Sequence, residues 1–276
     1  MNQTNLALKK LKGIRPRGVK VKKNSNLESL LDLHQRVWNE FQSAEERSSR
    51  NNNSLRAFIS HNLSNYFFQN KHKFTEDDLT GFVFSTGNYT DIHSRFTGIF
   101  SGVLLDYLVS NNQRKNKRTL LYLDGNGISY PYLFSRTQNI DVLVINNFSG
   151  NCICNSIIPF PGCANLLVGL NLKGDFAFRK VRNSNAKVGL VGGYNIQGSD
   201  SFSINSFYNS AWIIGENVGD KKAIVNLNFD SFENIHKAKQ VMDLIKSIPD
   251  KPYDEVIKTA LEIESIYKST LTDKQE

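Results

Sequence analysis

A nine-residue pattern that returns four times between Asn139 and Asp220 leaves this chain few folds to choose from. Aligned on one asparagine, it reads VLVINNFSG to Gly150, LLVGLNLKG to Gly174, LVGGYNIQG to Gly198 and WIIGENVGD to Asp220. The asparagines are Asn147, Asn171, Asn195 and Asn217, at steps of 24, 24 and 22 residues. A fixed period of this length marks a solenoid, in which each unit buries its apolar face only against its neighbours. The runs before the asparagines, Val142–Ile145, Leu166–Val168, Leu190–Val191 and Trp212–Ile214, are short and largely β-branched. They suit strands packed on both faces rather than helices.

Each unit therefore reads as strand, turn, strand and loop. After the turn, Cys152 and Cys154, Phe176 and Phe178, and Phe202 and Ile204 recur with period two. The spacing predicts a second strand that points these side chains into the coil. Coils stacked at about 4.8 Å would place like residues over each other. Asn147, Asn171, Asn195 and Asn217 would occupy one corner, where Asn tolerates left-handed backbone and stacked amides can bond along the pile. Gly150, Gly174 and Gly198 would occupy the other corner, which a side chain disfavours. The fourth unit carries Asp220 in that place.

Coils with glycine at a fixed corner, over roughly residues 119–225, resemble the GXGXG-type right-handed β-helix domain. That domain closes the large subunit of glutamate synthase and forms a subunit of formylmethanofuran dehydrogenase. The resemblance implies a structural and coupling element without catalytic groups of its own.

The flanking sequence is helical. Leu27, Leu30, Leu31, His34, Val37, Trp38 and Phe41 fall at three- and four-residue spacings after Ser25 and Asn26, either of which can cap a helix. Leu55, Phe58, Ile59, Tyr66 and Phe67 predict a second helix, and Thr75 with Asp78 a capping turn. A third helix is predicted from Phe96 to Val109, with Gly98 and Gly102 leaving a smooth patch for close packing on the first coil. Past the repeats, Ser231–Ile248 and a segment opened by Pro252 form a helical hairpin. Its expected role is to cap the other end of the stack or to mediate self-association.

The fold class is thus α+β, a parallel β-solenoid of about four to five coils flanked by N-terminal helices and a C-terminal helical hairpin. The boundaries are a basic arm over 1–25, a helical region capping the solenoid over 26–118, repeats over 119–228 and the hairpin over 229–276.

Charge is distributed unevenly. Lys9, Lys10, Lys12, Arg15, Arg17, Lys20, Lys22 and Lys23 follow one another with no acid among them. Lys and Arg total 34 against 26 acids, so this arm carries the whole formal net charge of +8. Such a run can follow a phosphate backbone, with affinity that falls as salt rises, or simply solvate the chain. Arg114, Lys115, Lys117 and Arg118 form a second basic turn that would add to the same footprint or lie in solvent.

Motifs for chemistry are sparse. There is no phosphate loop, no HExxH and no paired CxxC, and no cofactor is implied. Cys152, Cys154 and Cys163 offer sulfurs for a metal, but two of them occupy core positions of their coil. Asp91 and His93 form a D-x-H pair in an expected loop, a candidate metal or proton-transfer site. Asp124 and Asp141 lie near strand ends. No apolar stretch reaches the length of a membrane span, and no signal segment is recognisable, so the expected location is the cytoplasm. The expected function is a non-catalytic scaffold docking a partner protein, with nucleic-acid association through the arm as the alternative and homo-oligomerisation as a further option.

Overall fold

The computed structural model describes residues 25–45, 52–70, 73–89, 91–158, 162–181, 187–202, 212–219, 221–226 and 232–272. They form an α+β molecule whose centre is a β-solenoid of about three turns. Strands β1 (Leu120–Asp124), β2 (Asn139–Asn146), β3 (Cys163–Leu170), β4 (Lys187–Ile196) and β5 (Trp212–Val218) pair in parallel in chain order. The expectation of four to five coils is corrected at the end of β5. At Gly219, with φ +55°, the chain doubles back, and β6 (Lys221–Asn226) pairs antiparallel to β5. The fourth repeat therefore ends the stack instead of adding a turn to it.

The strands are buried on both faces, which is why their sequences are continuous apolar runs rather than alternating ones. Leu143, Leu167, Val191 and Ile213 share one register column and pack into the coil interior. Val142, Leu166, Leu190 and Trp212 share the adjacent column and face outward.

The second limb of each coil departs from expectation. It is not a strand but a run of turns in which every second residue is left-handed: Tyr132, Phe134 and Arg136, then Cys152, Cys154, Ser156 and Ile158, then Phe176, Phe178 and Lys180, then Asp200 and Phe202. These φ values lie between +48° and +66°, a region that side chains occupy at some cost. The hydrogen bonds account for it. N–H groups of left-handed residues donate across the stack in alternate directions: Cys152 to the Asp175 carbonyl at 2.8 Å and Cys154 to the Leu133 carbonyl at 2.8 Å, on opposite sides. Intervening N–H groups close turns within the coil, as Asn155 does to the Cys152 carbonyl at 3.2 Å. Cys154, Phe178 and Phe202 lie in the interior as expected, but Phe176 is only half-buried, with the Arg179 guanidinium 4.8 Å from its ring, and the intervening Ile153 and Ala177 are fully buried. Ile204 lies outside the described residues.

Among the described residues four helices precede the sheet: α1 (Asn26–Glu45), α2 (Asn52–Asn70), α3 (Glu76–Ser85) and α4 (Asp91–Gln113). At the start of α1 the Ser25 N–H donates to Glu28 Oε2 at 2.7 Å, and the Glu28 N–H to Ser25 Oγ at 3.2 Å. Thr75 and Asp78 make the same reciprocal box for α3, satisfying donors that a helix start leaves orphaned. Helix α4 lies directly on the first coil. A Cβ at Gly98 would stand 2.5 Å from the Tyr132 carbonyl, and one at Gly102 2.6 Å from the Ser135 carbonyl. Ser101, between them, accepts the Phe134 N–H at 3.1 Å. In the next coils the matching donors, Cys154 and Phe178, find a carbonyl of the preceding coil. Ser101 supplies the acceptor that the first coil lacks.

The C-terminal hairpin, α5 (Phe232–Ser247) and α6 (Tyr253–Thr272), does not cover the far end of the stack. It lies flat on the outer face of the sheet, where Ala238, Val241, Met242, Ile245, Val256, Ala260 and Ile263 form a second core with the outward strand residues. That face is apolar in every coil and must be covered. Ile235, expected inside, is 55% exposed. Among the described residues no helix is long and apolar enough to cross a membrane.

Candidate functional site

The repeat corners are structural throughout. Asn147, Asn171, Asn195 and Asn217 are left-handed, with φ between +49° and +56°. Asn195 Nδ2 donates to Asn171 Oδ1 at 2.8 Å, Asn171 Nδ2 to Asn146 Oδ1 at 3.0 Å, and Asn147 Nδ2 to Asp124 Oδ1 at 3.0 Å. The amide ladder thus starts on Asp124. Gly150, Gly174 and Gly198 stack so closely that a Cβ at Gly174 would fall 2.2 Å from the Gly150 carbonyl oxygen, and one at Gly198 2.2 Å from that of Gly174. Lys9, Lys10, Lys12, Arg15, Arg17, Lys20, Lys22 and Lys23 lie outside the described residues.

Cys152 and Cys154 are buried free thiols, and burial pushes Cys154 far above the ordinary thiol range. Cys163 opens β3, its thiol also raised by burial. Among the described residues no three His, Cys, Asp or Glu side chains are placed to hold a metal ion. Asp91 and His93 belong to the first turn of α4 rather than to a loop. His93 stacks on Trp38 at 4.4 Å and on Tyr89 at 4.0 Å, and lies 5.5 Å from the ring of His34. Burial first, and the neighbouring His93 second, push His34 down to about 3. Its Nε2 pairs with Thr97 Oγ1 at 2.9 Å. Burial lowers both imidazoles, which pack among aromatic rings.

The strongest electrostatic groups sit where the helices meet the first coil. Asp106, on α4, accepts the Gln138 and Asn139 N–H groups on Oδ1 at 2.6 and 2.7 Å, and Arg56 Nη2 on Oδ2 at 2.7 Å. One and two repeats on, the residues in register with Asn139, which are Cys163 and Lys187, donate to the Gln138 and Gly162 carbonyls of the coil before them. Asp106 stands in for the missing coil. Burial nevertheless pushes its carboxyl up to about 6, against the opposing pull of Arg56 and the two N–H donors. Arg56 is fixed in turn by donating Nε to the Arg136 carbonyl at 2.9 Å.

A cavity of about 430 Å³ opens beside this pair, between α2, α4 and the start of β2. Arg56, Ser60 and Ser64 line it from α2, and Asp106 and Ser110 from α4 with Arg114 just past its last residue, each set at i, i+4, i+8 spacing. The polar rows were legible, but helix aromatics dominate both segments and drew the reading toward core.

Of the basic turn, Arg118 is committed to structure. Its Nε donates to Asp141 Oδ2 at 2.7 Å and its Nη2 to Glu264 Oε2 at 2.9 Å, joining β2 to α6. Lys117 lies 3.5 Å from Glu76. Arg114 faces the cavity and has no side-chain partner among the described residues.

Comparison with protein-family models, curated proteins and solved structures finds no match to this chain.

Proposed function

We propose that the protein is a non-catalytic β-solenoid scaffold that docks a partner protein. The observation that carries this reading is what the repeated polar groups do. The asparagine amides bond from coil to coil, Asp106 and Ser101 complete the first coil, and Arg118 fastens the hairpin to the sheet. Side chains that recur through the stack thus serve its rigidity, as in the β-helix domains that the repeat resembles. A rigid body of this kind presents its helices outward, and Phe68 on α2, 87% exposed, is the most exposed large apolar side chain described. Phe68→Glu should leave thermal stability within about 0.5 kcal/mol of the parent. The full-length parent, affinity-purified from its own cells, should bring down a protein at constant stoichiometry, and the variant should lose it. The same band with both baits, or none with the parent, would overturn this docking surface. A second copy of the chain, detected by sedimentation, is the outcome that would make the scaffold a homo-oligomer.

The charge distribution favours a second reading, nucleic-acid association. Without the eight bases between Lys9 and Lys23 the chain has 26 acids and as many remaining bases, of the 34 in all. Binding of single- and double-stranded nucleic acid by the full chain should weaken steeply with salt, and replacing all eight bases by glutamine should flatten that slope by several units. Equal slopes for both proteins would remove the arm from the account.

A further inference from the structure

The cavity beside Arg56 is a binding site that the scaffold reading does not use, and we propose that it takes a small phosphorylated polyol, of the size of a sugar phosphate. Its volume, about 430 Å³, lies within the range of small-molecule sites. Arg56 is pre-organised, since Nε is held by the Arg136 carbonyl and Nη2 by Asp106, while Nη1 has no protein partner among the described residues. A guanidinium fixed in this way loses little freedom when it receives an anion, and its planar fork matches phosphate oxygens. Arg114, in the turn just past the end of α4, adds a second guanidinium without a carboxylate of its own among the described residues. Asp106 already accepts three hydrogen bonds, so its oxygens are occupied by the protein.

The rest of the lining selects for hydroxyls. Ser60, Ser64, Ser110 and Asn111 all border the cavity and make no side-chain hydrogen bond to any described residue. Ser and Asn in a helix commonly bond back to their own backbone, as Ser43 and Asn62 do here. Four that do not, gathered round one cavity with two arginines, offer donors and acceptors to a ligand carrying both an anionic group and several hydroxyls. A bare hydrophobic ligand would leave them unsatisfied, which disfavours it. A nucleotide would need a stacking partner for its base, and the one aromatic lining residue, Tyr107, already stacks on Phe67 at 4.1 Å.

Calorimetry on the full chain with fructose 6-phosphate, ribose 5-phosphate and glycerol 3-phosphate tests the site. At least one should bind saturably with Kd below about 1 mM, fructose should not bind, and inorganic phosphate should bind more weakly than the best ester. Arg114→Ala, at an exposed position, should leave Tm unchanged and weaken binding at least about tenfold, the loss expected of one charge-assisted contact. The basic arm is intact in that variant, so the loss would belong to the cavity. Ser64→Ala should weaken the ester but not inorganic phosphate. No saturable binding of any ester up to about 10 mM, or equal affinity of the parent and Arg114→Ala, would overturn the proposal.

Discussion

Gly169→Ile alone should destabilise the protein severely, Phe178→Cys alone should do the same, and the two together should be far less damaging than their sum. An ideal Cβ at Gly169 would lie 2.7 Å from the ring carbons of Phe178 and 3.0 Å from Leu172 Cδ1. Isoleucine would bring three further carbons into that contact. Overpacking a dense interior costs about 1–3 kcal/mol for small additions and more for large ones. Removing the Phe178 ring leaves a cavity, at about 3–5 kcal/mol by analogy with truncation to alanine. The preceding coil, begun by β2, shows how the two defects cancel. Ile145 is in register with Gly169, and Cys154 occupies, one 24-residue repeat earlier, the place of Phe178 with nearly the same backbone, φ +48° against +54°. The coil of β4 repeats that of β3, since a Cβ at Gly193 would lie 2.4 Å from Phe202. From β2 to β4 each coil thus divides its interior between a strand residue and a turn residue, large with small in opposite order, whereas the coil of β1 buries two large ones, Leu123 and Phe134. The double variant rebuilds the pair of the β2 coil in that of β3. It gives up the stacking of Phe178 on Phe202 at 6.0 Å, so a deficit of about 1 kcal/mol should persist. Urea denaturation of the four proteins would measure a coupling of about 2–3 kcal/mol between the sites. Additive losses would refute the paired division of volume.

That pairing was present in the sequence. The strand column runs Ile145, Gly169, Gly193, Gly215, and the turn column runs Cys154, Phe178, Phe202. Once the 24-residue register is known, the two can be read against each other. The register gave the parallel sheet and both its buried faces, because every coil must satisfy the same apolar requirement. It could not give the left-handed turns. Apolar residues two apart suit a strand as well as a backbone that alternates between left- and right-handed turns, and only the hydrogen bonds separate the two. The hairpin's place was likewise hidden, since Val241, Ile245, Val256 and Ala260 state that a face is apolar but not which surface it meets. Asp106 was missed for a different reason. Its role belongs to the end of a repeat, where one side chain replaces a neighbouring coil, and a period carries no information about its own first member. The polar rows of the cavity suffered from their surroundings: Phe58, Phe67 and Tyr107 lie among them on the same two helices, and an aromatic at helical spacing is read as core.

Arg118→Met should lower stability by about 2–3 kcal/mol at neutral pH and recover part of that loss on acidification. In the parent, Arg118 bridges Asp141, whose side chain is 6% exposed, and Glu264, 4% exposed, while itself standing 43% exposed. Losing one partner of a buried pair costs about 3–5 kcal/mol, and the solvent screening available to this half-exposed arginine reduces the figure. Asp141 keeps the Thr119 N–H at 2.8 Å and Asn165 Nδ2 at 2.9 Å, and Glu264 keeps Lys268 at 2.7 Å. The variant should therefore fold, and the pH profile should carry the diagnosis. In the parent, the donors from Arg118, Asn165 and Thr119 outweigh burial and hold the Asp141 carboxyl below its usual range. A depressed carboxyl contributes stability above its unfolded value of about 3.9, lost as pH falls through the lower folded value. Removing the guanidinium leaves burial as the larger influence on Asp141 and two buried carboxylates without the cation between them. Protonation then relieves the folded state more than the unfolded one, so the variant should gain stability relative to the parent on acidification from about pH 7 to pH 4, the contributions of Asp106 and His34 to that window being common to both proteins. Urea midpoints measured across that window would decide. A profile parallel to the parent's would show that Arg118 holds the hairpin to the sheet by packing alone. Converging profiles would place this ion network at the join between the solenoid and the hairpin that covers it.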